Sequence, residues 1–376
     1  MTAPDPSVKG WCPSAYRPMM SGDGLVVRIR PTLARLKQVQ ILELCDLAER
    51  FGSGILEFTN RANLQLRGIS EAGFPELLDA LNALEVLDTD PEIERRRNIL
   101  VNPFWKYADR TVRLANGLAA KLDKLPDLPA KFGFAVDTGE WPVLAEASAD
   151  IRLEALASGD ILVRADGMQS GVACDESNAI DTVLAMADWF ARNATNEARR
   201  MRTLLGHIHL PEHWTQHPAA TPAPVPGLGQ CDLGQLVAVP FGQIDAKTLR
   251  ACADLAEAIR LTPWRILLLE GVTGFSHPDL VTDQNDPLLQ ADACPGAPLC
   301  ASASVATRAL ARQIAPLVAG RVHVSGCSKG CARSKASDVT LVGRDGLFDI
   351  VRGGTAQASP ERTGLSPKEI SKELSA

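Results

Sequence analysis

The chain has no run approaching the roughly 18 apolar residues of a membrane span. Its best candidate, ILLLEGV, is far too short. The amino terminus, MTAPDPSVKG, carries neither a basic n-region nor an apolar h-region, so no secretory leader is expected. No G-x-G-x-x-G follows a strand-like run and there is no phosphate loop, which leaves no place for a nicotinamide or flavin domain. Positive charge is not in excess. A net charge of −6 argues against a general nucleic-acid binder, while leaving room for a local basic pocket. What is present is an ordinary globular balance, 45% hydrophobic and 22% charged, in a chain long enough for roughly two to three domains.

Cysteine is sparse, yet four of the nine fall in two tight pairs, CPGAPLC (Cys294 to Cys300) and CSKGC (Cys327 to Cys331). A disulfide framework belongs to short secreted chains. A structural zinc site normally reads C-x2-C or close to it, whereas these spacings are C-x5-C and C-x3-C. The remaining candidate is an iron–sulfur cluster, whose irons take four thiolates from loops that curl around an inorganic core. Pro295, Gly296 and Pro298 make the first pair a rigid turn, and Gly326 and Gly330 let backbone approach closely and offer N–H groups to sulfur. An odd, unevenly spaced set of cysteines also fits a reducing cytoplasm. Cys45 and Cys252 lie in amphipathic helical patterns and read as small buried hydrophobes. Cys12, Cys174 and Cys231 fall in expected loops, with no role.

The chain is written twice. GLVVRIRP, ARLKQVQILELCDLAERFGSG and ILEFTNRANLQLRGI (24–69) are echoed by GQLVAVPFG, QIDAKTLRACADLAEA and IRLTPWRILLLEGV (234–272), with DLAE in both. Each copy predicts strand, amphipathic helix, strand, tight turn, strand. Further on, KFGFAVDTGEW, ADIRLEALASGD and ILVRADGM predict three strands, with Lys131 opening the first. RVHVSGCSKGC, SDVTLVGRDG and LFDIVRGG follow in the same order, so CSKGC takes the place of DTGEW and CPGAPLC that of NPFWKYA. Only the second copy holds the cysteine pairs. The Pro/Ala-rich stretch 211–230 reads as a linker. The expected units are 1–75 and 231–280 as two similar α+β halves, and 76–210 and 281–376 as the segments that follow them. LSPKEISKELSA forms a closing helix.

The cysteine pattern with its leading SGC, the repeat, TNRANLQ and LPAKF resemble the sirohaem-dependent nitrite and sulfite reductases, over nearly the whole chain. Within that superfamily RPMMSGDGLVVRIRP, TNRANLQLRG, LPAKFGFAVDTG, LTPWR, ACPGAPLC and VSGCSKGCA are similar to the precorrin-3B synthases. The resemblance implies an α+β, nitrite/sulfite reductase-like fold, with a pseudo-two-fold repeat of ferredoxin-like halves plus two α/β domains. It implies a [4Fe–4S] cluster on Cys294, Cys300, Cys327 and Cys331, and an additional mononuclear non-haem iron whose ligands the sequence does not identify. The activity implied is an oxygen-dependent monooxygenase that converts precorrin-3A to precorrin-3B by hydroxylation and lactone formation in aerobic cobalamin biosynthesis. Its partners would be a polycarboxylate tetrapyrrole, dioxygen and an external electron donor, with no nucleic acid and no membrane, in the cytoplasm.

A polycarboxylate needs fixed cations, and guanidinium binds carboxylate bidentately. Arg28 and Arg30 are two apart in a strand and so share a face. By motif, Arg30, Arg61 and Lys131 match the superfamily's basic residues around the tetrapyrrole, and Gln65 matches the glutamine of T-N-R-x-x-x-Q; Arg28 is placed at the substrate rim. Where the reductases read K-F-K or K-Y-K, this chain has Lys131, Phe132, Gly133, and Ala62 stands where they commonly have glutamine. Both departures turn the reading from reduction of a small anion towards a site in which the tetrapyrrole itself is transformed. The alternatives are a sirohaem-dependent sulfite or nitrite reductase, and a non-catalytic iron–sulfur redox sensor. Four histidines, His207, His209, His213 and His217, crowd GHIHLPEHWTQH. Imidazole suits iron, but the segment abuts the linker and is read as a solvated loop. His323, on the strand leading to Cys327, is expected to pack or to bond backbone.

Overall fold

The computed structural model describes residues 12–140 and 142–375, so MTAPDPSVKG and Trp141 of DTGEW lie outside the described residues. The first half comprises β1 (Met19–Ser21), β2 (Gly24–Ile29), β3 (Arg35–Lys37), α1 (Gln38–Phe51), β4 (Ile55–Phe58) and β5 (Leu64–Ile69). A first module follows, with α2 (Phe74–Ala83), α3 (Pro91–Arg96), β6 (Ile99–Val101), α4 (Arg110–Ala119), β7 (Phe134–Asp137), β8 (Ile151–Ala155), β9 (Ile161–Ala165), β10 (Ser170–Cys174), α5 (Glu176–Asn193), α6 (Met201–Leu204) and β11 (His217–Pro218). The second half contains β12 (Gly229–Cys231), β13 (Gly234–Ala238), β14 (Gln243–Asp245), α7 (Ala246–Ala253), β15 (Ala258–Leu261) and β16 (Ile266–Glu270). The last module contains β17 (Ala291–Ala293), α8 (Arg308–Ile314), β18 (Val322–Ser325), β19 (Ser337–Arg344), β20 (Leu347–Gly354), β21 (Arg362–Leu365) and α9 (Pro367–Leu374).

The two halves exchange their edge strands. One sheet runs β1-β2-β5-β4-β14 and its twin β12-β13-β16-β15-β3, so each half lends a strand to the other. Ile244 pairs with Leu56 at one exchange and Leu36 with Ile259 at the other. Every one of these four side chains is buried. Exchange removes an exposed edge from each sheet and makes the two ferredoxin-like halves one domain. Even the turn residues correspond: Leu33 and Phe241 both take φ near +57°, at 55° and 59°, and Thr59 and Thr262 each accept backbone N–H groups from two and four residues on. The modules repeat in the same way. β6, β7 and β8 pair in parallel with β9 antiparallel, and β17, β18 and β19 pair in parallel with β20 antiparallel.

Helix ends are set by local chemistry. Asp109 and Asp245 accept from the N3 amides of α4 and α7, and Ser366 with Glu369 forms a capping box on α9. Cys45 in α1 and Cys252 in α7 are fully buried. The repeated DLAE is helical in α1, but in the second copy it lies beyond the end of α7, because five fewer residues separate it from the next strand. Three expectations are corrected. Lys131 sits in a turn before β7 rather than in the strand, since Phe132 N–H bonds Pro129 C=O and the parallel ladder starts at Phe134. Cys174 and Cys231 end strands rather than lying in loops, and the 211–230 stretch carries β11 and the start of β12. Among the described residues no helix is long and apolar enough to cross a membrane.

Candidate functional site

The cysteine pairs sit on loops that leave the carboxyl ends of two neighbouring parallel strands, β17 and β18. Cys294 is buried, Cys300 and Cys327 are half-buried, and Cys331 is exposed; none is in a disulfide. The loops are knitted together by backbone. Gly326 N–H points at Cys294 Sγ at 3.2 Å, Cys300 N–H bonds Gly296 C=O at 2.8 Å, and Ser304 N–H bonds Gly326 C=O at 3.1 Å. Gly296 and Gly330 hold φ of +69° and +63°, which a Cβ would strain, and this lets the chain turn back beside the sulfurs. Burial pushes the Cys327 and Cys331 thiols up; Cys294 and Cys300 push both further, Cys327 adds to the shift of Cys331, and Lys329 pulls both down.

The cysteines thus lie within electrostatic reach of one another. Among the described residues no three His, Cys, Asp or Glu side chains converge on a single ion. In a cluster each iron keeps its own thiolate, so the sulfurs spread around a core instead of meeting at a point. An all-sulfur donor set with a backbone N–H aimed at one sulfur fits such a core. No ligand set for a separate iron emerges among the described residues, and His207, His209, His213 and His217 are all exposed.

The first module shows what the same loops become without cysteine. Asn102 follows β6 where Cys294 follows β17, and Gly139 stands where Cys327 does. A Cβ on Gly139 would sit 2.8 Å from Asn102 Nδ2, so this space is closed. Asn102 donates to Asp137 Oδ1 at 2.7 Å, and Leu144 N–H to Asp137 Oδ2 at 2.6 Å. Burial pushes the Asp137 carboxyl up to about 6.

The basic residues gather on the first half's sheet. Arg28 on β2 lies opposite Gln65 on β5 and donates to its Oε1 through Nε and Nη2, at 3.0 and 2.7 Å. Its guanidinium is pushed down to about 10, first by burial and then by Arg30, with Cys12 opposing. Arg61, in the β4–β5 turn, donates to the Lys131 carbonyl at 2.8 Å and to Ser148 Oγ at 3.0 Å. Burial lowers it too, and Arg200 adds to the shift. Among the described residues neither Arg28 nor Arg61 has a carboxylate at salt-bridge distance. The Lys131 side chain is exposed.

Arg30 is different. It falls just past the end of β2, is only 4% exposed and is ion-paired to Glu94. Gly133 lies against this site: a Cβ there would stand 3.6 Å from Arg61 Nη1. By strand register Arg28, Arg61 and Gln65 correspond in the second half to Leu236, Trp264 and Leu268, and Trp264 lines a cavity of about 540 Å³. Among the described residues this row of cations without a carboxylate partner is found in the first half and not in the second.

Several residues here were not singled out from sequence. Cys12, read as a loop cysteine without a role, places its thiol against Arg28. Asp150 accepts from Gly133 N–H, Arg200 Nε and Met201 N–H, and so holds the turn beside Arg61. Glu57 and Arg67 form a buried pair, with Glu57 also bound by Arg308 at 2.7 Å. Charged residues alternating with apolar ones within a buried strand were the available signal. His323 is fully buried and neither ring nitrogen has a hydrogen-bond partner among the described residues, so it packs; burial lowers its pKa.

Residues 17–84 match the Nitrite/Sulfite reductase ferredoxin-like half domain. A protein named precorrin-3B synthase from Sinorhizobium sp is 31% identical, over 94% of this chain and 84% of that one. A ferredoxin–nitrite reductase from Synechococcus elongatus is 22% identical, over 92% of this chain and 82% of that one. The structure of the NirA protein of Mycobacterium tuberculosis superposes with a TM-score of 0.66 at 17% identity, over 93% of this chain and 79% of that one. That likeness concerns the fold.

Proposed function

The chain belongs to the precorrin-3B synthase family, on the nitrite/sulfite reductase fold, and we propose that it converts precorrin-3A to precorrin-3B by an oxygen-dependent hydroxylation with lactone closure. The observation that carries the substrate class is the pair of half-buried guanidiniums that have no carboxylate partner among the described residues. Arg28 is held by a neutral amide, and Arg61 by a carbonyl and a hydroxyl. Both stay protonated at neutral pH, since even the lowered Arg28 titrates at about 10. Their positive charge is thus left for a ligand, and partial desolvation strengthens its attraction for carboxylate. Arg28, Arg61 and the exposed Lys131 would take the acidic arms of the macrocycle, with Gln65 fixing the Arg28 fork. Arg30, the neighbouring match to the family's basic residues, is neutralised by Glu94.

Gly133 favours a synthase over a reductase. A second lysine at this position would begin beside Arg61 Nη1 and add an ammonium for a small anion such as sulfite or nitrite. Its absence leaves the tetrapyrrole as the reacting partner. Cys294, Cys300, Cys327 and Cys331 would hold a [4Fe–4S] cluster, which when bound supplies single electrons received from an external donor. The chain's own contribution is to bind and orient: Arg28 and Arg61 fix the rim of the macrocycle, and the turns at Gly133 and Ser148–Asp150 hold Arg61 in place.

The test is anaerobic purification with absorption and EPR spectra, then addition of precorrin-3A and a controlled pulse of oxygen. Cluster signals without a haem band, and a product heavier by one oxygen atom that forms only with oxygen, are expected. Bound sirohaem with turnover of sulfite or nitrite would establish the reductase in its place. A cluster without tetrapyrrole binding would leave a redox sensor.

A further inference from the structure

The loop that carries Cys294 and Cys300 is held from the other side of the molecule. The Leu299 carbonyl, next to Cys300, accepts three hydrogen bonds, all from the first half: Ser21 Oγ at 2.6 Å, Gly22 N–H at 3.1 Å and Arg67 Nη2 at 3.0 Å. A Cβ on Gly22 would fall inside the Pro298 carbonyl oxygen, so the two loops touch through backbone. Arg67 is only 4% exposed. Its fork also bonds Asp23 through Nε and Nη2, at 3.1 and 2.7 Å, and Glu57 through Nη1 at 3.1 Å.

The internal repeat supplies an independent second instance. Position 57 corresponds to 260 and position 67 to 270, so the Glu57–Arg67 pair of the first half reappears as Arg260–Glu270 with the charges reversed. Arg260 again reaches a loop carbonyl, donating to Pro103 and Trp105 at 2.7 and 2.6 Å, and it stacks over the Trp105 ring. The loop it grips, 102–108, is the counterpart of 294–300. Each half therefore grips the equivalent loop with a buried arginine. Reversal of the ion pair leaves this intact, so what is kept is the guanidinium's reach to the loop and not the strand it starts from.

We propose that Arg67, with Glu57 as its counter-ion, is a positioning residue that sets Cys300 against the rest of the thiol group and so fixes the geometry and retention of the cluster. This rests on the reading of the four cysteines as cluster ligands. Polar contacts extend the same line to the basic row, since Glu57 also accepts from Gln65, which holds Arg28. The loop and the substrate face thus share one hydrogen-bonded frame.

The experiment compares wild type, Arg67→Met, Arg67→Lys and Ser21→Ala after identical anaerobic reconstitution. Iron and sulfide per chain, the rate of iron loss to a chelator, the EPR line shape of the reduced cluster and the far-UV circular dichroism are measured. Arg67→Met is expected to keep its secondary structure, to lose iron about tenfold faster as charge-assisted bonds to the loop vanish, and to broaden the EPR signal. Arg67→Lys should restore part of this, because an ammonium keeps the charge without the planar fork. Ser21→Ala, which removes one donor to Leu299 and one acceptor of Arg67 while leaving the guanidinium in place, should lie between wild type and Arg67→Met, and it decides the matter if Arg67→Met fails to fold. Retention and line shape unchanged in a folded Arg67→Met, or in Ser21→Ala where that variant decides, would overturn the positioning role. A wild-type chain that takes up no iron and sulfide would overturn the cluster reading itself and this proposal with it.

Discussion

Two arginines that look alike in VRIRP are set apart by their partners. Arg28 is half-buried and bonded to a neutral amide, whereas Arg30 is sealed in with Glu94. Arg28→Met removes a charge that nothing in the fold consumes, so it should weaken precorrin-3A binding by about 1.5–3 kcal/mol, roughly 10- to 100-fold in Kd, with little change in stability. Titration of the anaerobic protein with substrate, followed by absorption, measures this. Arg30→Met instead strands the Glu94 carboxylate in the interior. It should destabilise the protein by about 3–5 kcal/mol, read as a shift in the denaturant midpoint, and any loss of binding should follow from unfolding. Equal effects of the two substitutions on binding in folded protein would contradict this division. Alternation in a strand gave both residues one face; the carboxylate that singles out one of them is 64 positions away in sequence.

At the scale of elements, the loops after β6 and β7 have exchanged a thiol group for a closed hydrogen-bonded plug. Asp137 is its centre, and its carboxyl titrates at about 6 in the fold, raised from 3.8 by burial. A raised carboxyl binds its proton more tightly in the native state. Its contribution therefore favours folding below about pH 4 and is lost as pH rises from about 4 to about 6. Above that the buried carboxylate costs up to about 3 kcal/mol. Asp137→Asn carries no such charge, so its stability relative to wild type should climb between pH 4 and pH 7, as seen in paired melting curves. A pH-independent difference would mean that the Leu144 and Asn102 bonds already hold the ionised form without penalty.

The order of elements, the repeat and the correspondence of CPGAPLC with NPFWKYA were legible in sequence, because periodicity and turn chemistry act within a few residues. The exchange of β3 and β14 was not. Three-residue edge strands carry almost no pattern, and their partners lie some two hundred positions away. The Glu57–Arg67 pair and the role of Gln65 as its link to Arg28 were hidden for the same reason, since register decides which strand neighbours face each other.

At the scale of the whole molecule, the apolar core is divided. The exchanged halves and the first module share one continuous core, while the cysteine module packs Val322, Val324, Leu341, Ile350, Leu310 and Ile314 into a second one. Among the described residues, Phe241, from the turn before β14, is the one of the second half that enters this smaller core. Otherwise the described contacts between the two bodies are largely discrete and polar, such as Leu299 with Arg67, Glu57 with Arg308 and Asp292 with Arg265 at 3.1 Å. Separate cores joined by such contacts need not melt together. All six tryptophans precede residue 281, so indole fluorescence reports the larger body and cluster absorption the smaller. In a denaturant series, cluster absorption is expected to disappear before the tryptophan transition. Phe241→Ala, at about 3–5 kcal/mol for a buried Phe to Ala change, should move the first event to lower denaturant and leave the second nearly in place. Coincident transitions in both proteins would mean that the polar contacts across the interface, with the Arg67 grip among them, bind the two bodies into one cooperative unit.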